Sequence, residues 1–167
     1  MSPAREVWRI APDTAQYLAD DLTGAGAEKT GGRWNRRGVA MLYCSANIAL
    51  ACLETLVHLS GLDPLPFNRY LVKIAIPASV WRARTVFRAS GHVGWDAEPA
   101  GLICIRWGSD WADRGHTLIA EVPSAVVPEE ANILINPRHG DAKHLRPRKV
   151  RRWTYDPRLT RLRDPAH

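Results

Sequence analysis

The sequence predicts an α+β fold, with a compact mixed β-sheet core and a few flanking helices. Several short segments alternate apolar and polar residues, which is typical of strands. Other segments repeat apolar residues every three or four positions, as amphipathic helices do. The two kinds of segment do not alternate strictly along the chain, which disfavours a parallel βαβ arrangement. With 167 residues, we expect a single domain over 1–167.

Strands are predicted at six places. The clearest is 69–76, where Val72, Ile74 and Ile76 alternate with residues of the opposite face. Pro77 then ends the strand, because proline has no N–H to donate to a neighbouring strand. The other predicted strands cover 7–10, 39–44, 117–122, 133–135 and 150–155.

Three helices are predicted. Asp13 and Thr14 are N-cap candidates for a short helix that ends near Asp20. Ser45 is predicted to cap a second helix through about Leu59. The third is expected from Glu98 to Asp113. In the second helix we expect the core-facing stripe to comprise Ala49, Cys52, Leu53, Leu56 and Val57.

Two segments lack a regular pattern. Residues 23–38 are rich in glycine and polar residues and are predicted to form a loop, and 78–95 are expected to be irregular. Neither the three cysteines nor the six histidines show the spacing of a zinc site or a disulfide framework. We therefore expect buried, unreactive thiols and no metal.

No apolar run approaches the roughly 18–20 residues that would cross a bilayer, so we expect a cytoplasmic protein that does not enter a membrane. The basicity is concentrated near the C-terminus. Residues 143–163 contain nine Lys or Arg and one acid, Asp156, while the whole chain carries a net charge of only +6. This basic segment is typical either of a solvated edge strand or of a contact with nucleic acid or an acidic protein.

The most informative stretch combines three kinds of side chain. Gly31 and Gly32 precede Arg33, and Tyr43 and Glu54 follow within two short elements. Glycine tolerates positive φ and permits close backbone approach, while arginine holds phosphate with paired hydrogen bonds. A carboxylate nearby stabilises positive charge on a substrate. The combination indicates a site for a phosphorylated ligand that contains a sugar.

Each of these residues also has an ordinary structural interpretation. Arg33 fits a surface turn, and Tyr43 fits a core aromatic with a bonded hydroxyl. Glu54 fits the solvated flank of a helix or an ion pair with His58. Ser124, which follows Pro123, fits a turn or a helix cap.

Together the segments resemble the RES domain family, which is named for an Arg, a Glu and a Ser. The resemblance extends from Trp8-Arg9-Ile10 through GGRWN to the VPS, NPRH and YDPRL segments, in order and with similar spacing. It implies that Arg33, Glu54 and Ser124 are the family's three named residues. It also implies that Tyr43 matches a family tyrosine and that Arg9 matches an N-terminal arginine.

The resemblance implies a fold similar to that of ADP-ribosyltransferases and an activity that consumes NAD as substrate, without a metal. It further implies a toxin of a type II toxin–antitoxin pair. The partner would be an Xre-like antitoxin, through which alone the toxin meets DNA. One branch of the family implies phosphoribosyl pyrophosphate synthetase as a protein target for ADP-ribosylation. The alternative function is a nucleic-acid-binding module that uses the basic segment.

The expected roles follow from the chemistry of nicotinamide–ribose cleavage, which builds positive charge on the sugar as glycoside cleavage does. Glu54 would stabilise that charge, and Arg33 with Arg9 would hold the pyrophosphate or ribose. Tyr43 would stack on nicotinamide. Ser124 would bind the ribose or orient Glu54. The acceptor of ADP-ribose is left open between water, inorganic phosphate and a protein side chain.

Overall fold

The computed structural model describes residues 4–59 and 64–161. Its strands are β1 (Arg5–Pro12), β2 (Leu42–Ser45), β3 (Arg69–Ile76), β4 (Thr85–Val86), β5 (Ile119–Pro123), β6 (Ala131–Ile135) and β7 (Pro147–Trp153). Its α-helices are α1 (Ala25–Thr30), α2 (Ile48–Leu56), α3 (Ala78–Arg82), α4 (Leu102–Arg114) and α5 (Arg158–Arg161). Single turns of 3₁₀ helix cover Ala89–Gly91 and Gly140–His144.

The strands form one sheet in the order β4-β5-β6-β2-β1-β3-β7. Only β4 and β5 are parallel; the other pairs are antiparallel. This mixed sheet with flanking helices confirms the α+β prediction. β1 and β3 pair along their whole length, whereas β1 and β2 share the single pair Trp8 and Ser45. The sheet therefore opens between β1 and β2.

Three apolar clusters hold the fold together. The largest lies between the central strands and includes Val72, Ile74 and Ile133. A second packs α4 against the sheet around Trp34, and a third lies beneath α2 around Tyr155. The contact of α4 with Trp34 is very close, since a Cβ at Gly108 would lie 2.0 Å from the Trp34 carbonyl oxygen. These clusters fix both walls of the opening between β1 and β2.

The predicted helix over 13–20 is wrong. The side chains that were expected to cap it instead build turns. Asp13 accepts from the backbone N–H of Ala19, and Thr14 accepts from those of Gln16 and Tyr17. Short polar side chains compete with helix formation in this way, and the segment becomes a loop on one side of the opening.

The second predicted helix is present but begins later. Its N-cap is Asn47, which accepts from the Leu50 N–H over 2.8 Å, and Ser45 belongs to β2. The predicted core-facing stripe is partly wrong: Cys52 and Leu56 pack against the cluster beneath α2, but Ala49 is exposed. Leu50 and Ala51 are buried, whereas Leu53 and Val57 are exposed.

The remaining differences concern boundaries. The strand expected over 39–44 is Leu42–Ser45, and the helix expected from Glu98 begins at Leu102. The predicted loop 23–38 contains α1, and the segment 78–95 contains α3, β4 and a 3₁₀ turn. The last strand, expected over 150–155, is Pro147–Trp153. Short, weakly periodic elements give little local signal, so their ends depend on packing.

The basic segment contributes β7, which lies at the edge of the sheet. Several of its cations contact neighbouring groups. Lys149 pairs with Asp13, Arg151 lies over the Trp153 ring, and Arg152 donates to the Phe67 carbonyl. Residues 162 and 163 of the segment lie outside the described residues. Within the described ranges, no helix has the length and apolar character needed to cross a membrane.

Candidate active site

A cleft of about 900 Å³ occupies the opening between β1 and β2. Its volume lies in the range of roughly 300–1,000 Å³ that is usual for ligand sites. Four of the residues predicted from the sequence line it: Arg9, Arg33, Tyr43 and Glu54. Ser124, the fifth, lies immediately behind the wall, since its neighbours Pro123 and Ala125 both line the cleft. The structure therefore brings all five predicted residues together.

Glu54 is held by two neutral donors. Its Oε1 accepts from Ser124 Oγ over 2.7 Å and from Asn132 Nδ2 over 2.5 Å. Both bonds go to the same oxygen, and Oε2 has no hydrogen bond to any residue in the described part of the chain. The carboxylate is thus fixed in orientation by one oxygen while the other is left for a ligand.

Ser124 is fully buried and its hydroxyl has a fixed direction. Its Oγ accepts from the backbone N–H groups of Val126 and Val127, over 3.0 and 3.1 Å. A serine hydroxyl has two acceptor lone pairs and one proton. Because both acceptor positions are used, the proton is left to donate to Glu54. Ser124 therefore stabilises the turn that follows β5 and also donates to the Glu54 carboxylate.

Asn132 was missed by the sequence reasoning. It lies on β6, and its Oδ1 accepts from Ser45 Oγ over 2.8 Å while its amide donates to Glu54. These bonds join β2, β6 and α2 at one point. The signal was present, since Asn132 interrupts an otherwise apolar strand and a buried polar side chain requires partners.

The turn before Tyr43 is built around the tyrosine hydroxyl. Tyr43 Oη accepts from the Trp34 N–H over 2.9 Å and donates to Asn35 Oδ1 over 2.7 Å. A Cβ at Gly32 would lie 2.7 Å from this hydroxyl, so only glycine fits there. Gly31 has a φ of 72°, which other residues rarely adopt. The two glycines thus serve the turn itself.

Burial is the main influence on Tyr43. It raises the pKa of the phenol, against smaller lowering effects from the Trp34 hydrogen bond and the charge of Arg33. The hydroxyl therefore stays protonated at neutral pH and keeps its donor role toward Asn35. Asn35 is itself buried and donates to the carbonyls of Ala27 and Val39. Sequence reasoning did not identify this asparagine as the centre of the turn.

Arg33 lines the cleft but is also bound to protein. Its Nη1 donates to the carbonyls of Trp95 and Ala97 over 3.1 and 2.9 Å, and its Nη2 pairs with Glu98 over 2.9 Å. The arginine therefore fastens the segment 95–98 to the cleft wall. Glu98 is largely exposed, so the two carbonyl contacts dominate the fastening.

Arg9 and His58 also belong to the polar lining of the cleft. Arg9 on β1 donates to the Asp21 carbonyl over 3.3 Å, which ties the 13–23 loop to the cleft. His58 follows α2 and lines the cleft, but no ion pair joins it to Glu54 in the described residues. The predicted alternative, an ion pair between Glu54 and His58, is therefore wrong for the described residues, where Glu54 is bound by Ser124 and Asn132.

Two of the thiols lie close to the site: Cys44 lines the cleft, and Cys104 Sγ donates to the Trp95 carbonyl that Arg33 also binds. Cys44 and Cys104 are buried, and burial raises the pKa of Cys44 to about 11, so its thiol is protonated and unreactive near neutral pH. A search of the described residues found no group of three or more His, Cys, Asp or Glu side chains placed to hold a metal.

Comparison with protein families matches the model described as the RES domain to residues 6–158. A curated relative from Sphingobium sp. (strain YBL2), named Prs ADP-ribosylating toxin, is 56% identical over 155 residues. That alignment covers 92% of this chain and 96% of the relative. A protein of Pseudomonas putida named Toxin Res is 34% identical, with 92% of this chain and 98% of the relative covered.

Among solved structures, the crystal structure of the M. tuberculosis MbcT–MbcA toxin–antitoxin complex contains a chain of similar fold. The TM-score is 0.64, and the match covers 95% of this chain and 88% of that chain. Sequence identity is 16%. At this level of identity the likeness concerns the fold alone.

Proposed function

This chain belongs to the RES domain family, and we propose that it is the toxin of a toxin–antitoxin pair that cleaves the nicotinamide–ribose bond of NAD. The ADP-ribose is passed to an acceptor, and the loss of NAD or the modification of the acceptor arrests growth. Two relatives that match over 92% of this chain carry the word toxin in their names, which supports the biological part of this proposal.

The observation that carries the chemical part is the setting of Glu54. One carboxylate oxygen is fixed by Ser124 and Asn132, and the other has no described hydrogen-bond partner in a cleft large enough for a substantial ligand. A charge that is oriented in advance stabilises a developing opposite charge without reorganisation in the transition state. This is what cleavage at an anomeric carbon requires.

In the proposed step the bond between ribose C1′ and the pyridinium nitrogen of nicotinamide breaks. Its electron pair stays on that nitrogen, so nicotinamide leaves as a neutral molecule and needs no proton from the enzyme. The positive charge moves to the ribose C1′ and ring oxygen, where the Glu54 carboxylate stabilises it. The acceptor then attacks C1′ and loses its proton, which restores neutrality at the sugar.

The other cleft residues bind and orient the substrate. Tyr43 offers a ring beside the turn that contains Arg33, a suitable surface for the nicotinamide. Arg33 and Arg9 lie at the same cleft and supply positive charge for the pyrophosphate or the ribose hydroxyls. Ser124 acts on Glu54 rather than on the sugar, because its hydrogen-bonding positions are already filled.

For the acceptor we propose a protein side chain, with phosphoribosyl pyrophosphate synthetase as the candidate target. The name of the relative at 56% identity, Prs ADP-ribosylating toxin, supports a protein acceptor. Water and inorganic phosphate are the other acceptors with the same first step. The proposed partner is an Xre-like antitoxin that covers the cleft, and the likeness to a chain of a toxin–antitoxin complex supports an antitoxin.

The test is to incubate the purified protein with NAD in the presence of phosphate and of a bacterial cell extract, and to analyse the products by mass spectrometry. We expect free nicotinamide together with a protein that has gained the mass of ADP-ribose. Free ADP-ribose alone would assign water as acceptor, and ADP-ribose phosphate would assign inorganic phosphate. Intact NAD in every sample would contradict the proposed activity.

A further inference from the structure

We propose that Arg69 is an anion-binding residue of the cleft and that it binds a phosphate of a nucleoside diphosphate group. The identity of that ligand depends on the NAD chemistry proposed above, but the anion site itself does not. Sequence reasoning placed Arg69 only as the start of a strand. In the structure it lines the same cleft as Arg33 and Glu54.

Arg69 lies on the α2 side of the cleft. It is the first residue of β3, opposite Pro12 on β1 and Trp153 on β7. Its charge also acts on Tyr155, whose hydroxyl donates to Thr55 Oγ1 over 2.8 Å. Burial raises the pKa of Tyr155, while the Thr55 hydrogen bond and the positive charge of Arg69 partly oppose that rise. Arg69 and Thr55, the residue that follows Glu54, both line the cleft.

The guanidinium has an unsatisfied donor. Arg69 Nε is buried and makes no hydrogen bond with any described residue, and the same is true of Trp153 Nε1. In the described ranges these are the only two buried side-chain nitrogen or oxygen atoms without a partner. They belong to one cross-strand pair. Buried donors are almost always bonded in native proteins, so the two exceptions mark a place where polar groups lack protein acceptors. Arg69 lines the cleft and Trp153 does not, and the covered Nε leaves the terminal nitrogens of the guanidinium to meet a ligand.

The charge of Arg69 is also uncompensated. Other basic side chains, such as Arg36, Arg84 and Arg138, each pair with a carboxylate. No carboxylate of the described chain lies within 4.0 Å of Arg69. A partly buried charge without a partner costs free energy. A ligand that supplies negative charge offsets that cost only when it is bound.

Phosphate fits this site better than a neutral acceptor. A guanidinium presents several N–H groups in a planar fork, which matches the oxygens of phosphate in paired hydrogen bonds. Arg33 and Arg9 line the same cleft, but Arg33 already uses three hydrogen bonds on the segment 95–98 and Arg9 donates to the Asp21 carbonyl. Arg69 donates no side-chain hydrogen bond to any described residue, so it is the stronger candidate for direct phosphate contact.

The experiment compares wild-type protein with Arg69→Gln and with the control Arg148→Gln, an exposed arginine on β7 that does not line the cleft. KM is measured for NAD and for nicotinamide riboside, which has the same scissile bond but no phosphate. Arg69→Gln is expected to raise KM for NAD about 10- to 100-fold, the loss typical of a charged hydrogen bond, and to leave the riboside unaffected. An unchanged KM for NAD, or an equal rise for both substrates, would overturn the proposal.

Thermal unfolding separates this role from a structural one. Removing a charge that has no partner is expected to leave the Tm of Arg69→Gln unchanged or to raise it. A clear fall in Tm together with unchanged KM would show that Arg69 serves the fold, and the proposed anion site would be abandoned.

Failure of the NAD chemistry is distinguished by a binding measurement. If wild-type protein releases no nicotinamide, calorimetry with ADP and with inorganic pyrophosphate still tests the site. Binding by wild type and Arg148→Gln, weakened at least tenfold in Arg69→Gln, would support a phosphate site in a protein with another activity. No binding of either ligand by wild type would reject the site.

Discussion

The Ser124 hydroxyl donates to Glu54 Oε1 over 2.7 Å, although 70 positions separate the two residues along the chain. Ser124 follows β5, and Glu54 lies on α2. Their contact closes one wall of the cleft and fixes the carboxylate. The fold of the sheet brings the two elements together. The orientation of the Glu54 carboxylate therefore depends on this hydrogen bond and on the one from Asn132.

Glu54→Gln is expected to lower kcat for nicotinamide release by about 100- to 1,000-fold, the usual effect of removing one preorganised electrostatic contact. The glutamine oxygen still accepts from Ser124 and Asn132, so the fold is retained. Nicotinamide release is followed by chromatography, with circular dichroism as the folding check. Glu129→Gln is the matched control, since Glu129 is exposed. Full turnover by a folded Glu54→Gln protein would remove Glu54 from its proposed role.

Ser124→Ala removes one donor from Glu54 and leaves two backbone N–H groups without their acceptor. We expect a loss of about 1–3 kcal/mol in the free energy of unfolding, measured with urea, because buried donors become unsatisfied. We also expect a reduced kcat with little change in KM.

The control for that variant is Ser109→Ala. Ser109 is equally buried and accepts from the Arg36 N–H, but it lies on α4 and does not line the cleft. It should lose stability and keep kcat. If both variants lost stability and neither lost kcat, Ser124 would be a turn residue only.

Arg33→Gln is expected to release the segment 95–98, since two carbonyl contacts and one ion pair are lost. Amide hydrogen exchange measured by mass spectrometry should become faster there. Glu98→Gln, which removes only the exposed partner, should change exchange much less. Equal exchange in wild type and Arg33→Gln would show that the arginine does not hold this segment.

Gly32→Ala should destabilise the protein by roughly 1–3 kcal/mol, the usual cost of forcing a group into a filled space. The new methyl group would lie 2.7 Å from the Tyr43 hydroxyl and 3.0 Å from Asn35 Oδ1. Gly140→Ala provides the comparison, because a Cβ there meets nothing within 4 Å. Urea unfolding of the two variants gives the difference, and similar midpoints would mean that the turn relaxes without cost.

The ion pair between Asp13 and Lys149 makes part of the stability depend on pH. The hydrogen bond from Lys149 lowers the pKa of Asp13 below its ordinary 3.8, with a further lowering by the Ala19 N–H. A lowered folded-state pKa means that the stabilisation is present above 3.8 and is lost as the pH falls through the folded value. Asp13 in turn raises the pKa of Lys149 above its ordinary 10.5. The stabilisation from the ion pair is therefore lost at alkaline pH only above 10.5.

Lys149→Met tests this dependence. Its Tm should fall below that of wild type at pH values above the ordinary 3.8 of Asp13, and the two curves should converge as the pH falls through the lowered pKa of Asp13 in the folded protein. Arg148→Met, on the same strand, should follow the wild-type curve throughout. A constant offset between Lys149→Met and wild type at all pH values would show that lost packing, not charge, is responsible.

The sequence correctly predicted the strands and helices with strong periodicity, such as β3 and most of α4. It failed at 13–20, where Asp13 and Thr14 bond to nearby backbone instead of capping a helix. It was only partly right about the buried face of α2, where Cys52 and Leu56 pack against the core but Leu53 and Val57 are exposed. Local spacing shows that a helix is amphipathic, but the direction of the core depends on where the sheet opens.

The sequence by itself determined the α+β class and, through segments spread over the chain, the family and its candidate residues. Only the tertiary structure decided that Glu54 is fixed by Ser124 and Asn132 and that Arg33 holds the segment 95–98. It also decided that Arg69 Nε has no hydrogen-bond partner among the described residues. The physical reason is that hydrogen bonds between distant segments depend on strand order and on the divergence of β1 from β2. Local residue patterns predict neither the strand order nor the divergence of β1 from β2.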